Sequence, residues 1–367
     1  MVKVKTVERG KGETVLMPND VKSVSTLFRK KTILKNMIKK SMVHTLLIMV
    51  LITISGTCLA QDVFEMTVAT DGSGDYQTIQ KAIDACKSFP DKRITIHIKN
   101  GVYHEKVVIP ACNNKLSIIG ESAEKTIIAY GDYFGKINRG RNSTFYTYTL
   151  LIEADDFYAE NLTIENNAGS VGQAVALHVS GDRCAFRNCR ILGNQDTLYT
   201  GGLNSRQCFR ECYIEGTTDF IFGSETVLFD NCIIFSKANS FITAASTPQG
   251  KSYGYVFHNC KITAAEGVNK VFLGRPWRDF AKVVYINCEL GSHILPAGWS
   301  NWAGTSRDKT AYFAEYENKG QGATNSQRVE WSYQLTKDEA SKYTAEKILS
   351  PSFPNEVAPD LWSTGKN

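Results

Sequence analysis

The chain has 367 residues, 22% of them charged and 43% hydrophobic, a composition that suits one large folded domain or two ordinary ones and excludes a disordered chain. Its formal net charge is +5, but residues 1–60 hold 11 Lys or Arg against 3 Asp or Glu, leaving 31 against 34 in the other 307. The body is therefore weakly acidic, which removes the electrostatic case for a nucleic-acid partner.

The basic excess lies ahead of an apolar run. Lys30, Lys31, Lys35, Lys39 and Lys40 precede residues 42–60, whose centre is Leu46-Leu-Ile-Met-Val-Leu-Ile52 and whose exit is Ser55-Gly-Thr-Cys-Leu-Ala60. A basic flank, a short apolar core and a small-residue exit predict a secretory signal over residues 1–60, cleaved between Ala60 and Gln61, with Met37 or Met42 as alternative starts. An uncleaved anchor is the competing reading, yet roughly 12 apolar residues fall short of the ~20 that span a bilayer. Cys58 would suit a lipoprotein, but Thr57 before it fits that signal poorly. Residues 61–367 are expected to form a single secreted domain, extracellular or periplasmic, monomeric and without stable membrane association.

Residues 75–86 read as an amphipathic helix capped by Asp75, with Ile79, Ala82, Ile83 and Cys86 on one face. Strand-like segments follow at 94–98, 107–109 and 116–119. From residue 159 a pattern recurs: Phe186-Arg-Asn-Cys189-Arg-Ile191, Phe209-Arg-Glu-Cys212-Tyr-Ile214, Phe229-Asp-Asn-Cys232-Ile-Ile234, Phe257-His-Asn-Cys260-Lys-Ile262 and Tyr285-Ile-Asn-Cys288-Glu-Leu290, with a Cys-free copy at Ala159-Glu-Asn-Leu162-Thr-Ile164. Successive copies are 27, 23, 20, 28 and 28 residues apart. Periods of this size describe a solenoid. Within each copy Cys and Ile are two apart, the spacing of one strand face, so the fold class is all-β: a parallel β-helix with an N-terminal capping helix. Cysteine acts there as a small buried hydrophobe in an interior ladder. Export also permits bridges between neighbouring copies, Cys232–Cys260 first. After Gly298 the repeat lapses into a tail with a helical segment at 337–349, expected to pack along the outside.

A second strand per repeat aligns Gln173-Ala-Val175, Gln195-Asp-Thr197, Thr218-Asp-Phe220 and Asn239-Ser-Phe241, with offsets of 22, 23 and 21. Stacked strands are about 4.8 Å apart, so Asp196 and Asp219 should be neighbours on adjacent coils, with Gln195 beside Gln173. Two acids that close raise at least one pKa, leaving one protonated and one ionised. That suits a nucleophile and a general acid, with two amides to stabilise an oxyanion. The bland alternative is a polar ladder, common in repeat folds. Leu273-Gly-Arg-Pro-Trp277 supplies Arg275, able to hold one carboxylate ionised, and Trp277, a flat face for a sugar ring; Tyr199, Phe222 and Trp299 would extend that wall. A surface salt bridge and core packing are their structural alternatives.

These residues resemble the pectin methylesterase (pectinesterase) family at Gly101-Val-Tyr-His-Glu105, Gln173-Ala-Val-Ala-Leu177, Gln195-Asp-Thr-Leu198, Asp219-Phe-Ile-Phe-Gly223 and Leu273-Gly-Arg-Pro-Trp277, with similarity from Thr67 to Thr336. The resemblance implies a right-handed parallel β-helix with a groove for methyl-esterified homogalacturonan, a polysaccharide partner. It implies Asp219 as nucleophile on the C6 methyl-ester carbonyl, giving an acyl-enzyme, and Asp196 as the acid that protonates methanol and then activates water. Gln195 and Gln173 would stabilise the oxyanion. Arg275 would orient Asp219 and, with Trp277, bind substrate, and Thr144 matches a substrate-contacting threonine. No metal or cofactor is implied.

The same fold hosts other chemistries. A retaining glycosidase also wants paired carboxylates, but the Asn-Thr-Asp, Gly-His-Gly and Arg-Ile-Lys signatures of β-helical polygalacturonases are missing. A pectate lyase would want an acidic calcium cluster, and none is evident. A non-enzymatic carbohydrate-binding or adhesin solenoid accounts for the ladder and leaves Arg275 and the glutamine pair unexplained.

Overall fold

Short strands of three to five residues recur with a left-handed residue between them, and this local rhythm winds the chain into coils. The computed structural model describes residues 64–350 and 359–364, with scattered helical positions between 31 and 42. Each central coil contributes one strand to each of three parallel sheets, for example Cys184–Arg187, Arg190–Leu192 and Leu198–Thr200. Among the described residues these sheets hold 11, 8 and 7 strands, and the chain is a right-handed parallel β-helix.

The recurring motif marks the corner between the first two sheets. Its Asn or Glu adopts φ between 46° and 57° at Asn161, Asn188, Glu211, Asn231, Asn259 and Asn287. Asparagine tolerates that left-handed region better than most residues, so the motif's asparagine is a turn signal. The motif's aromatic residue points inward and stacks in register: Phe186 on Phe209 at 4.5 Å between ring centroids, Phe229 on Phe257 at 4.5 Å, and Phe257 on Tyr285 at 4.3 Å. The cysteines form the interior column beside them, as expected, and Cys189, Cys212, Cys232, Cys260 and Cys288 are all buried.

The expected Cys232–Cys260 bridge is not formed, and all nine described cysteines are free thiols. Parallel stacking points neighbouring Cβ atoms the same way, side by side, whereas a disulfide needs them turned toward each other. These two thiols donate to backbone instead: Cys232 Sγ to the Phe209 carbonyl at 3.3 Å and Cys260 Sγ to the Phe229 carbonyl at 3.4 Å.

A helix covers the N-terminal end of the solenoid, and the tail covers part of its side. The N-terminal helix spans Ile79–Asp84 and buries Ile79, Ala82 and Ile83 over the first coils. Its expected cap by Asp75 does not occur, because that carboxylate accepts from the Thr67 amide at 2.7 Å. Glu105, from the Gly101–Glu105 motif, reaches across to accept from the Ile79 and Gln80 amides at 2.9 and 3.0 Å. The tail packs outside the first sheet, where Ile348, Leu349 and Trp362 cover Tyr158, Ala185, Cys208, Leu228 and Val256. Its helical stretch at 337–349 is two helices, Lys337–Ala340 and Ala345–Ile348, because Thr344 starts a second helix by accepting from the Lys347 amide.

Residues 1–62 form a separate unit. The expected signal segment and its expected cleavage point lie outside the described residues, apart from a few positions up to Met42. No described helix is long and apolar enough to cross a membrane.

Glu105→Ala should lower stability by about 1–2 kcal/mol, because two helix-terminal amides lose a charged acceptor. Thr78→Ala at the N-cap, which makes no side-chain cap bond, should change it by under about 0.5 kcal/mol. Urea denaturation midpoints compare the two, and equal losses would contradict the capping role given to Glu105.

Candidate active site

The third sheet presents one outward row, His178, Tyr199, Phe222, Ala244 and Arg275, in register on successive coils. The candidate site lies at its leading edge. Gln173 pairs with Gln195 through a parallel bridge. The Asp196 amide donates to the Thr218 carbonyl at 3.1 Å, and Leu198 is in register with Ile221, so Asp196 is beside Asp219 as the repeat predicted.

Two offsets differ from the sequence alignment. The Asp219 amide donates to the Phe241 carbonyl at 2.8 Å, and Ser240 hydrogen-bonds Thr218 at 2.8 Å. Phe241, not Ser240, is therefore the neighbour of Asp219. Between Gln173 and Leu177 the strand carries one extra residue, and the amides of Ala176 and Leu177 both donate to the Thr197 carbonyl, at 2.8 and 3.2 Å. This bulge resets the following strand by one residue.

Both aspartates are left-handed, with φ of 63° at Asp196 and 50° at Asp219. Residues held in this sparsely populated region cost on the order of 1 kcal/mol and gather at functional sites. Asp219 receives two parallel hydrogen bonds from Arg275, Nε to Oδ1 at 3.0 Å and the second guanidinium nitrogen to Oδ2 at 2.7 Å. Arg275 reaches it over Ala244, whose small side chain leaves the path open. Gly274 is needed for this approach, since a Cβ there would lie 1.9 Å from Thr243 Oγ1. The guanidinium is itself held between two aromatic faces, 4.0 Å from the Phe241 ring centroid and 4.1 Å from that of Trp302.

Opposite, residues 131–148 form the other wall. Asp132 is buried and paired with Lys106 at 2.8 Å and Lys136 at 2.7 Å, and the Phe134 amide donates to the Gln173 carbonyl at 2.9 Å. Between the walls is a cleft of about 380 Å³. Gln173, Gln195, Asp196, Asp219 and Arg275 line its floor; Phe134, Arg141, Thr144 and Phe145 line one side, and Phe222, Ala244, Trp277 and Trp302 the other.

A family model described as Pectinesterase matches residues 65–352. The chain belongs to the pectinesterase family. It is 40% identical over 293 residues to Pectinesterase 31 of Arabidopsis thaliana, covering 77% of this chain and 92% of that protein. Its fold resembles the pectin methylesterase from carrot with a TM-score of 0.73 and 32% identity, over 80% of this chain and 97% of that one. A pectin methylesterase solved in complex with a hexasaccharide gives a TM-score of 0.68 at 30% identity, over 79% of this chain and 98% of the other.

The structure brings together nearly all of the site residues expected from the sequence and separates two, both from the proposed aromatic wall. Trp299 is not part of the cleft wall: it is 1% exposed and packs inside the solenoid on Tyr285 and Phe313. Its pairing with Gly274 places it among the interior stack, and Trp302, three residues on, faces the cleft instead. Tyr199 supports the wall from beneath, edge-on to Phe145 at 4.9 Å and tilted against Phe222 at 4.9 Å, and does not line the cleft. Phe241, Trp302 and Arg141 escaped the sequence argument. A Trp-x-x-Trp pair is visible at 299–302, but which of the two faces out depends on the coil register. Among the described residues no cluster of three or more His, Cys, Asp or Glu side chains is arranged to hold a metal ion.

The two acids are electrostatically unequal. Burial pushes both carboxyls up. At Asp196 the Asp219 charge adds to burial and drives the group well above the usual carboxylate range, with only a distant opposing pull from Arg275. At Asp219 the Arg275 hydrogen bonds and charge oppose burial directly. Asp196 therefore holds a proton more readily than Asp219, and Asp219 holds the negative charge more readily.

Because the native pKa of Asp196 is raised, its proton stabilises the fold fully below the unfolded pKa of about 3.9, and that stabilisation is lost as pH rises toward the native value. Asp196→Asn has no such loss. Its stability relative to wild type should grow by up to about 1.4 kcal/mol per pH unit above pH ~4 until the native group ionises, measured by urea denaturation across a pH series. A constant difference would show that Asp196 is already ionised in the fold.

Proposed function

We propose that the protein hydrolyses the C6 methyl esters of homogalacturonan, leaving pectate and releasing methanol. The observation that carries this is the pairing of an arginine-held carboxylate, Asp219, with a proton-retaining carboxyl, Asp196, one coil away, next to the Gln173 and Gln195 amides. The hexasaccharide-bound neighbour is a pectin methylesterase, which supports a polysaccharide in this cleft.

In this mechanism the Asp219 carboxylate attacks the ester carbonyl carbon. The oxygen of that carbonyl takes the negative charge of the tetrahedral intermediate and accepts hydrogen bonds from the Gln195 and Gln173 side-chain amides. Collapse breaks the bond to the methoxy oxygen, which takes the proton of Asp196 and leaves as methanol, and an acyl–Asp219 anhydride remains. Asp196, now ionised, takes a proton from water as that water attacks the anhydride. Its collapse restores the Asp219 carboxylate and the protonated Asp196, and the new galacturonic acid loses its proton to solvent. Arg275 keeps Asp219 ionised and aimed for attack, and receives the carboxylate again when the anhydride is hydrolysed. Trp277, Phe222, Phe145 and Thr144 supply the faces and hydroxyl that seat the sugar chain.

The basic flank, apolar core and small-residue exit of residues 1–60 support export, with the enzyme acting as a secreted monomer on cell-wall pectin. The retaining-glycosidase and lyase alternatives predict different products from the same polymer.

Asp219→Asn should abolish methanol release from methylated pectin, a loss of at least about 10³-fold, while the variant still folds, as far-UV circular dichroism reads. Appreciable turnover by the folded variant would remove Asp219 from the nucleophile role. Wild-type enzyme should release methanol without new reducing ends or unsaturated ends, and EDTA should leave its rate unchanged; calcium-dependent formation of unsaturated ends would instead identify a lyase.

A further inference from the structure

The segment that carries Gln173 is held differently on its two sides. Toward the next coil, the Ala174 and Ala176 amides donate to the Gln195 and Thr197 carbonyls at 3.1 and 2.8 Å. Toward the preceding coil its partner is the cleft wall. The third-sheet strand of that coil begins at Leu150, in register with Leu177, and residues 131–148 before it form the wall. The Phe134 amide donates to the Gln173 carbonyl at 2.9 Å. The Val175 amide donates to Thr147 Oγ1 at 2.9 Å, and the Val175 carbonyl accepts from Asn166 Nδ2 at 2.9 Å. Two buried side chains therefore stand where a neighbouring strand would be.

Asn166 ends the second-sheet strand Thr163–Asn166 and is 3% exposed. Its Nδ2 also lies 2.8 Å from the Asp132 carbonyl and 3.1 Å from the Thr147 carbonyl, while Oδ1 accepts from the Ala168 amide at 3.1 Å. Asp132 and Thr147 stand near the two ends of the wall, so one side chain gathers both ends and ties them to Val175. Thr147 Oγ1 in turn donates to the Thr144 carbonyl at 2.7 Å. Buried backbone groups without a partner are costly, so removing Asn166 forces several of these groups to shift. Neither Asn166 nor Thr147 lines the cleft, whereas Gln173, two residues from Val175, does.

We infer that Asn166 is a positioning residue for the reaction. With Thr147 it fixes the backbone at Val175, and so aims the Gln173 side-chain amide at the oxyanion. This rests on Gln173 being an oxyanion donor in the mechanism proposed above. One such donor is worth about 10²–10³ in kcat, and a misplacement of about 1 Å costs up to about 10²-fold.

The test is a double-mutant cycle on methanol release from methylated homogalacturonan, with kcat and KM measured for wild type, Asn166→Ala, Gln173→Ala and the double variant. Urea denaturation checks that each is folded. Gln173→Ala should lower kcat by about 10² or more. Asn166→Ala should lower kcat by about 10- to 100-fold, with KM within about threefold of wild type. The double variant should be within about twofold of Gln173→Ala, because aim is worth nothing once the amide is gone. Thr147→Val should lower kcat in the same way, and Thr147→Ser, which keeps the hydroxyl, should retain it within about threefold. If Asn166→Ala does not fold, Thr147→Val carries the same cycle. An unchanged kcat in Asn166→Ala, a loss confined to KM, or losses that multiply in the double variant would overturn the inference and leave Gln173 its role. An unchanged kcat in Gln173→Ala would remove Gln173 from the oxyanion, and this inference with it.

Discussion

Everything in this molecule depends on the hydrogen-bonded register between consecutive coils. A parallel ladder sets one residue beside its counterpart about 4.8 Å away, so any property of one coil is copied or contrasted on the next. In the interior the result is homogeneous columns: phenylalanine on phenylalanine, cysteine on cysteine, left-handed asparagine on left-handed asparagine. On the outer edge of the third sheet the same register sets two aspartates side by side. A ladder of stacked carboxylates would be costly unless a proton or a cation intervened; here Arg275 is the cation on Asp219, and the environment of Asp196 favours its protonated form.

The division of labour between those acids follows from what each is offered. Asp219 has a guanidinium that is oriented by Phe241 and Trp302 and admitted by Gly274 and Ala244. Asp196 has burial and a neighbouring negative charge, both of which raise its pKa and favour its protonated form. Two chemically identical side chains with the same left-handed backbone are thus made electrostatically unequal by a third residue supplied from 56 positions away. The aromatic layer of Phe145, Tyr199 and Phe222 packs behind the cleft.

Much of this was legible in the residues because a solenoid makes spacing a measure of distance. The Phe-x-Asn-Cys repeat revealed the strands, the period and the stacking of Asp196 on Asp219 without any long-range information. Legibility failed wherever the coil length changes by one residue. The bulge at Ala176–Leu177 and the shift that brings Phe241 to Asp219 are local insertions, and residue type at those positions does not announce them. The same limitation exchanged Trp299 for Trp302: both are aromatic and three apart, and only pairing with Gly274 tells which faces inward. The helix cap failed for a related reason. Asp75 is close in sequence to the helix start, but Glu105 is closer in space.

The sequence by itself determined the fold class, the repeat, the stacked acids and the family to which the chain belongs, since each is written in short-range pattern and in motifs of a few residues. Tertiary structure decided which aromatic residues touch the cleft, that the cysteines remain thiols, how Arg275 is clamped, and that Asn166 and Thr147 hold the backbone at Val175. Those properties depend on side chains meeting across loops of varying length, where one inserted residue turns a face from the core to the solvent. At Gln195–Gly223 the repeat set the acids together, and the packing of a later coil made them different.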